Sequence, residues 1–103
     1  MDVFTAVAEP NRRRLMAAMS HQARTVNELV EVAGLSQPAV SKHLKLLREA
    51  GLVRVRPDGQ KRWYEVSPEP LNEVERFLEP YRRYLSDRLD ALEDHLDADR
   101  SNP

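Results

Sequence analysis

Ser36, Gln37, Pro38, Ser41, Lys42 and Lys45 fall within ten residues of one another. On a helix that begins at Gln37, a turn of 100° per residue puts Pro38, Ser41, Lys42, Lys45, Arg48 and Glu49 on one side and leaves Gln37 at the exposed end. Hydroxyls, an amide and ammonium groups are the side chains needed to meet base edges and phosphate oxygens without filling a groove. The opposite arc, Ala39, Val40, His43, Leu44, Leu46, Leu47 and Ala50, is made to pack. Taken alone, the polar arc serves equally well as an ordinary wetted surface.

What must position these residues can be read on either side of them. Thr25 and Glu28 outline a capping box, Leu29, Val30 and Val32 supply apolar contacts, and Gly34 suits the left-handed residue that ends a helix. Ser36 is the next N-cap. Helices over Thr25–Ala33 and Gln37–Ala50 are therefore predicted to join through a three- to four-residue turn and to cross steeply. Gly51 stops the second, and LVRVR (52–56) and KRWYEV (61–66) read as strands around the loop Pro57-Asp58-Gly59-Gln60, with Arg54, Arg56, Lys61 and Arg62 near its tip. The second helix of such a helix-turn-helix can lie in a major groove, while a basic hairpin beside it reaches the backbone.

Upstream, Asp2–Ala8 and Pro10–Ser20 are helix candidates, the first with Val3, Phe4 and Val7 on one side and the second burying Leu15, Met16 and Met19. Downstream, Leu71, Val74, Leu78, Tyr81, Leu85, Leu89, Leu92 and Leu96 recur at steps of three and four, close to a coiled-coil seam. Pro80 is expected to kink or split that helix near Glu75 to Glu79, and the polar residues 97–103 are expected to fray. The fold expected is a mainly α single domain over 1–103 with a small β-hairpin wing. It comprises N-terminal helices (1–20), a helix-turn-helix (25–50), a wing (52–66) and a C-terminal dimerisation helix (70–97), so that helical dimerisation elements stand at both termini.

One reading helix touches few base pairs, whereas two copies about one helical turn apart impose a pseudo-palindrome on double-stranded DNA. Leu78, Tyr81, Leu85, Leu89 and Leu92, with Val3, Phe4 and Val7 beside them, would form an exposed apolar patch on a monomer, which favours a homodimer. Charge is divided in the same sense: residues 1–66 hold 11 Lys and Arg against 7 Asp and Glu, and residues 67–103 hold 5 against 10. A basic working surface joined to an acidic segment with another task fits that asymmetry.

Other chemistry is poorly supported. The chain has no cysteine, which removes disulfides, thiolate metal sites and thiol nucleophiles. No Gly-rich phosphate loop, Ser-His-Asp spacing or paired carboxylate in an apolar setting is found, so no catalysis and no cofactor are expected. No apolar run approaches the roughly 18 residues of a membrane span, and MDVFTAVAEP lacks the basic start of a secretion signal, so a cytoplasmic protein is expected.

EPNRRRLM (9–16), the stretch from TVNELVEVAGLSQPAV to KLLREAGLV (25–53) and RPDGQKRWYEV (56–66) resemble the ArsR/SmtB family of winged-helix repressors, across nearly all of 4–66. VERFLEPYRRYLSDRLDALEDHL (74–96) is similar to a non-metal branch, the SdpR-like autorepressors. The resemblance implies a dimeric prokaryotic transcription regulator whose first and last helices form the dimer interface. Promoter occlusion would follow, with Gln37, Ser41 and Lys42 at the bases and Lys45, Arg56, Lys61 and Arg62 on phosphates. Two departures stand out: Glu9 sits where the family often has an Asp cap, and the metal-site motifs are missing.

Metal-sensing relatives carry a Cys-x-Cys type motif on the first helix of the reading head, where ELVEVAG has valine and alanine, or an Asp-x-His with histidines on the last helix. Only His95 stands there, among Asp87, Asp90, Asp94 and Asp97, so no metal site is expected; a metal-responsive repressor using these residues is one alternative and a winged-helix protein-interaction module another. The small-molecule inducer, if one exists, cannot be read from the chain. His43 lies at the edge of the packed arc, which favours an imidazole held against a neighbouring helix and leaves a phosphate contact open. The run Arg12-Arg13-Arg14 opens a helix, where solvent, carboxylates and phosphate compete for it, and Trp63 reads as wing support.

Overall fold

The computed structural model describes residues 1–101, and the side chains of residues 1–98. Two short helices, α1 (Val3–Ala8) and α2 (Pro10–Ala18), precede the pair α3 (Val26–Ala33) and α4 (Gln37–Glu49). Strands β1 (Val53–Asp58) and β2 (Lys61–Val66) form an antiparallel hairpin; α5 (Leu71–Leu78), a 3₁₀ turn (Glu79–Tyr81) and α6 (Arg82–Ser101) follow.

Capping chemistry begins each of the first four helices. The Asp2 carboxylate accepts from the Thr5 amide at 2.8 Å, Glu9 from the Arg12 amide at 2.8 Å, and the Thr25 and Ser36 hydroxyls from the amides of Glu28 and Ala39 at 3.3 Å each. Glu9 thus caps α2 in place of a shorter acid. Gly34 ends α3 at φ +65°, and its N–H donates to the Val30 carbonyl. An added Cβ there would meet no atom within 4 Å, so the glycine answers to backbone conformation and not to crowding.

These turns bring Val3, Ala6, Leu15, Met19, Leu29, Ala33, Val40, Leu44, Leu47, Leu52 and Val53 into one core. Val3 is a correction to the expected interface: at 3% exposure it belongs to the core of its own protomer, and Val7 is half-buried against that core. A six-residue helix lying on α2 must turn one side inward, and sequence spacing does not reveal which.

Arginines close the helix ends. The Nε and Nη2 of Arg12 donate to the carbonyls of Ala6 and Thr5 at 2.7 and 3.1 Å, and Arg13 donates to Val7 at 2.7 Å. Arg14 reaches Ala33 at the end of α3 and Arg24 reaches Ala18 at the end of α2, each at 3.1 Å. Final-turn carbonyls lack intrahelical partners and carry partial negative charge, which a guanidinium satisfies.

The wing differs in detail from its expected form. β1 starts at Val53, because the Leu52 amide donates to the Leu47 carbonyl at the end of α4, and runs on through Pro57 and Asp58, which pair with Arg62 and Lys61. The connection is then two residues, Gly59 at φ +64° and Gln60, too short for the four-residue loop that Pro57 suggested. Arg24 and Tyr64 exchange backbone hydrogen bonds of 2.8 and 2.9 Å, anchoring β2 to the segment before α3. Helix interruption falls at Glu79–Tyr81 around Pro80, beginning at the last residue of the expected Glu75 to Glu79. α6 continues through residues 97–101, where fraying was expected; residues 102 and 103 of the same polar segment lie outside the described residues.

Two caps carry an acid dependence. The Asp2 carboxyl lies below its ordinary value of 3.8 because the Thr5 amide, and then the Thr5 side chain, bond to the carboxylate. Desolvation raises that of Glu9, but the Arg12 and Asn11 amides and the charges of His43 and Arg12 together hold it below its ordinary 4.5. A carboxyl lowered by folding contributes stability above its unfolded pKa and loses it as pH falls through the folded value. The urea midpoint is therefore expected to hold near neutrality and to drop below about pH 4.5. An Asp2→Asn/Glu9→Gln double variant should start lower and lose less on acidification; an acid response identical to that of the parent would place its origin elsewhere.

Candidate nucleic-acid interface

Ser36, Gln37, Pro38, Ser41, Lys42 and Lys45 are all exposed along the start and outer side of α4, and Arg56, Lys61 and Arg62 are exposed on the wing. Their surroundings divide them. Gln37, Lys61 and Arg62 line a cleft with Gln60 and the start of α3, including Asn27, so the N-terminus of α4 and the wing tip open onto one concavity. Lys45 instead borders a groove with Arg48 and Arg54 between the far half of α4 and β1. The Ser36 hydroxyl already accepts the Ala39 amide hydrogen bond, so it serves the helix before any ligand.

Charge on the wing is unequal in availability. Arg54 is paired with Glu65 at 2.8 Å, whereas the Lys61 ammonium lies 5.8 Å from the centre of the Trp63 ring, held above its face. Trp63 is half-buried and pairs across the hairpin with Arg56. Asn27 and Arg48 are the residues that the reading of α4 and the wing left out. Arg48 was visible on the polar arc, but Asn27 joins the cleft only through the crossing of α3 and α4.

His43 turns away from this surface. It is largely covered, with Nδ1 3.9 Å from Glu9 Oε2 and no hydrogen-bond partner at that nitrogen. Arg12, Arg13 and Arg14 are occupied by the helix-end carbonyls described above. Among the described residues no group of three or more His, Asp or Glu is placed to hold a metal ion, and no helix is long and apolar enough to cross a membrane.

A second, apolar surface is formed by the terminal elements. Phe4, Leu78, Tyr81, Leu85, Leu89 and Leu92 are exposed, as are Phe77, Tyr84 and Leu96. Phe77 ties the two terminal elements together, meeting Phe4 edge-on at 5.6 Å between centroids and Tyr81 at 6.1 Å. Following a single row of leucines missed Phe77 and Tyr84, which sit one residue before Leu78 and Leu85.

Comparison with known proteins agrees with this architecture. Residues 9–55 match the model of the family described as "Bacterial regulatory protein, arsR family". A Streptomyces lividans protein named "Probable mercury resistance operon repressor" is 46% identical over 63 residues, which is 61% of this chain and 50% of that protein. "Uncharacterized HTH-type transcriptional regulator Rv0081" of Mycobacterium tuberculosis is 33% identical over 95 residues, 90% of this chain and 83% of its own length. The first relatives are matched over 50% and 61% of their lengths, so the chain spans only part of them. A solved structure described as "Possible transcriptional regulator for arsenical resistance" superposes with a TM-score of 0.71 at 35% identity, covering 84% of this chain and 96% of that one. With the helix-turn-helix, the hairpin and these likenesses in agreement, the chain belongs to the ArsR family of bacterial regulatory proteins.

Proposed function

We propose that this protein is a sequence-specific DNA-binding transcriptional repressor that works as a homodimer in the cytoplasm, excluding polymerase from a pseudo-palindromic promoter site, its own among them. It belongs in this reading to the non-metal, SdpR-like branch. The observation that carries it is the convergence of exposed Gln37, Lys61 and Arg62 on one cleft, with exposed Ser41 and Lys42 one turn further along α4. Gln37 and Ser41 meet base edges, Lys42 meets a base or a phosphate, and Lys45, Arg56, Lys61 and Arg62 neutralise phosphates.

Fluorescence anisotropy on a duplex from the region upstream of the gene, against a scrambled duplex of equal composition, tests the reading. Tight binding to the first alone supports it, and equal binding to both refutes sequence specificity. A phosphate contact contributes about 0.9 to the slope of log affinity against log salt, so Lys45→Ala should reduce that slope by about one on any duplex. An unchanged slope would remove Lys45 from the phosphate contacts.

A further inference from the structure

We infer that the cleft between the start of α3 and the wing tip is a channel for one strand of the DNA backbone, in which Asn27 is an uncharged contact to the phosphate that Arg62 meets from the opposite wall. The inference rests on the DNA-binding reading above and adds to it a residue of α3, outside both α4 and the wing.

Thr25 to Glu28 form one wall of this cleft and Gln60, Lys61 and Arg62 the other. Several of these groups are already engaged. The Thr25 hydroxyl accepts from the Glu28 amide at 3.3 Å, the Glu28 carboxylate lies 3.5 Å from Arg24, and the Lys61 ammonium is held over the Trp63 ring. Asn27, Gln60 and Arg62 are exposed, and among the described residues no hydrogen bond, ion pair or ring contact engages their side chains. With Arg24 offsetting the one acid, the two wing cations leave the cleft positive. It is made for an anion.

Asn27 has no task of its own within the fold. It is the second residue of α3, where Thr25 already supplies the cap, and asparagine is a weaker helix former than alanine, glutamine or glutamate. Its carboxamide N–H groups suit a phosphate oxygen, and uncharged contacts of this kind fix the register of a protein on the duplex without reading sequence. A base edge is the poorer match. Gln37 begins the helix proposed to enter the major groove, whereas Asn27 belongs to the helix before it, which in helix-turn-helix proteins crosses the backbone.

The two walls are fixed to each other before any DNA arrives. Arg24 and Tyr64 exchange backbone hydrogen bonds of 2.8 and 2.9 Å, which tie β2 to the segment that leads directly into α3. A strand therefore enters a preformed clamp, and little of the contact energy is spent on ordering the wing.

The test replaces each phosphate of the upstream duplex in turn by an uncharged methylphosphonate, with affinities of the parent, Asn27→Ala and Arg62→Ala chains read by anisotropy. Asn27→Ala should weaken binding roughly tenfold, by the same factor on duplexes that differ in one base pair, and should leave the salt slope unchanged because a neutral side chain releases no counterion. Arg62→Ala should lower that slope by about 0.9 per contact. The cost of the methylphosphonate should shrink in both variants at the same phosphate or its immediate neighbour. A loss that differs between base pairs would make Asn27 a base contact, coupling at distant phosphates would separate the two walls, and an unchanged affinity of Asn27→Ala would take Asn27 out of the interface. Each of these overturns the inference and leaves the DNA-binding reading standing; a parent that binds no duplex overturns both. Asn27→Asp is the second variant, since an acid in the first turn of a helix favours folding. Its carboxylate repels a phosphate, so it should bind several-fold more weakly than Asn27→Ala, and affinity equal to that of the parent would also overturn the inference.

Discussion

Leu85→Asp combined with Leu89→Asp is expected to yield a folded monomer whose operator affinity is lower by roughly 10²- to 10⁴-fold. Both leucines are exposed on the protomer, and nothing in the core rests on α6, so the substitutions leave the helix-turn-helix intact. In a symmetric dimer each change is counted twice. Burying a fully exposed leucine contributes about 1.5–3 kcal/mol, and because Leu85 and Leu89 are already partly covered at 39% and 66% exposure, four of them supply about half of the full sum, roughly 3–6 kcal/mol, to which aspartate adds the cost of desolvating a charge. On the proposed homodimer reading, loss of the link removes the high effective concentration at which a second reading helix would bind. Sedimentation velocity at micromolar concentration gives the mass, circular dichroism the fold, and anisotropy the affinity. A double variant that remains dimeric would show that the apolar stripe is not the contact. A monomer that binds the operator as tightly as the parent would show that duplication is not what holds the protein on DNA.

Legibility in the sequence followed the range of the interactions. Thr25, Gly34 and Ser36 could be placed because their effect is spent within four residues: a hydroxyl meets an amide three positions on, and a glycine takes a positive φ. The polar face of α4 followed from helix period alone. Arg12, Arg13 and Arg14 could not be divided, since identical side chains take different roles according to which carbonyls the ends of α1 and α3 leave open. His43 shows the same limit: its place at the edge of the packed arc was visible, but its neighbour Glu9 is 34 residues away in sequence. Asn27 entered the cleft through a helix crossing that local propensity does not encode. Phe77 was missed because a leucine seam draws attention to one row, while the aromatic contact with Phe4 crosses from one terminal element to the other.

Arg12→Met should cost about 2–5 kcal/mol of stability, a large share of the roughly 5–15 kcal/mol available to a domain of this size. The Arg12 residue is 8% exposed, and its guanidinium holds the carbonyls of Ala6 and Thr5 across the α1–α2 junction. Charge-assisted hydrogen bonds to buried acceptors are each worth about 1.5–3 kcal/mol, and methionine keeps the apolar stem while leaving both carbonyls without that donor. Arg12→Lys should fall between, because a single ammonium retains the charge but lacks the planar fork that serves two acceptors at once. Arg13→Met is the internal control: its bond to Val7 is exposed, where water replaces the lost donor, and a loss under about 1 kcal/mol is expected. Urea denaturation of the three variants ranks them, and equal losses at positions 12 and 13 would refute the part played by burial. The consequence reaches function through α1, because this helix presents Phe4 to Phe77; loosening it should weaken self-association as well as folding.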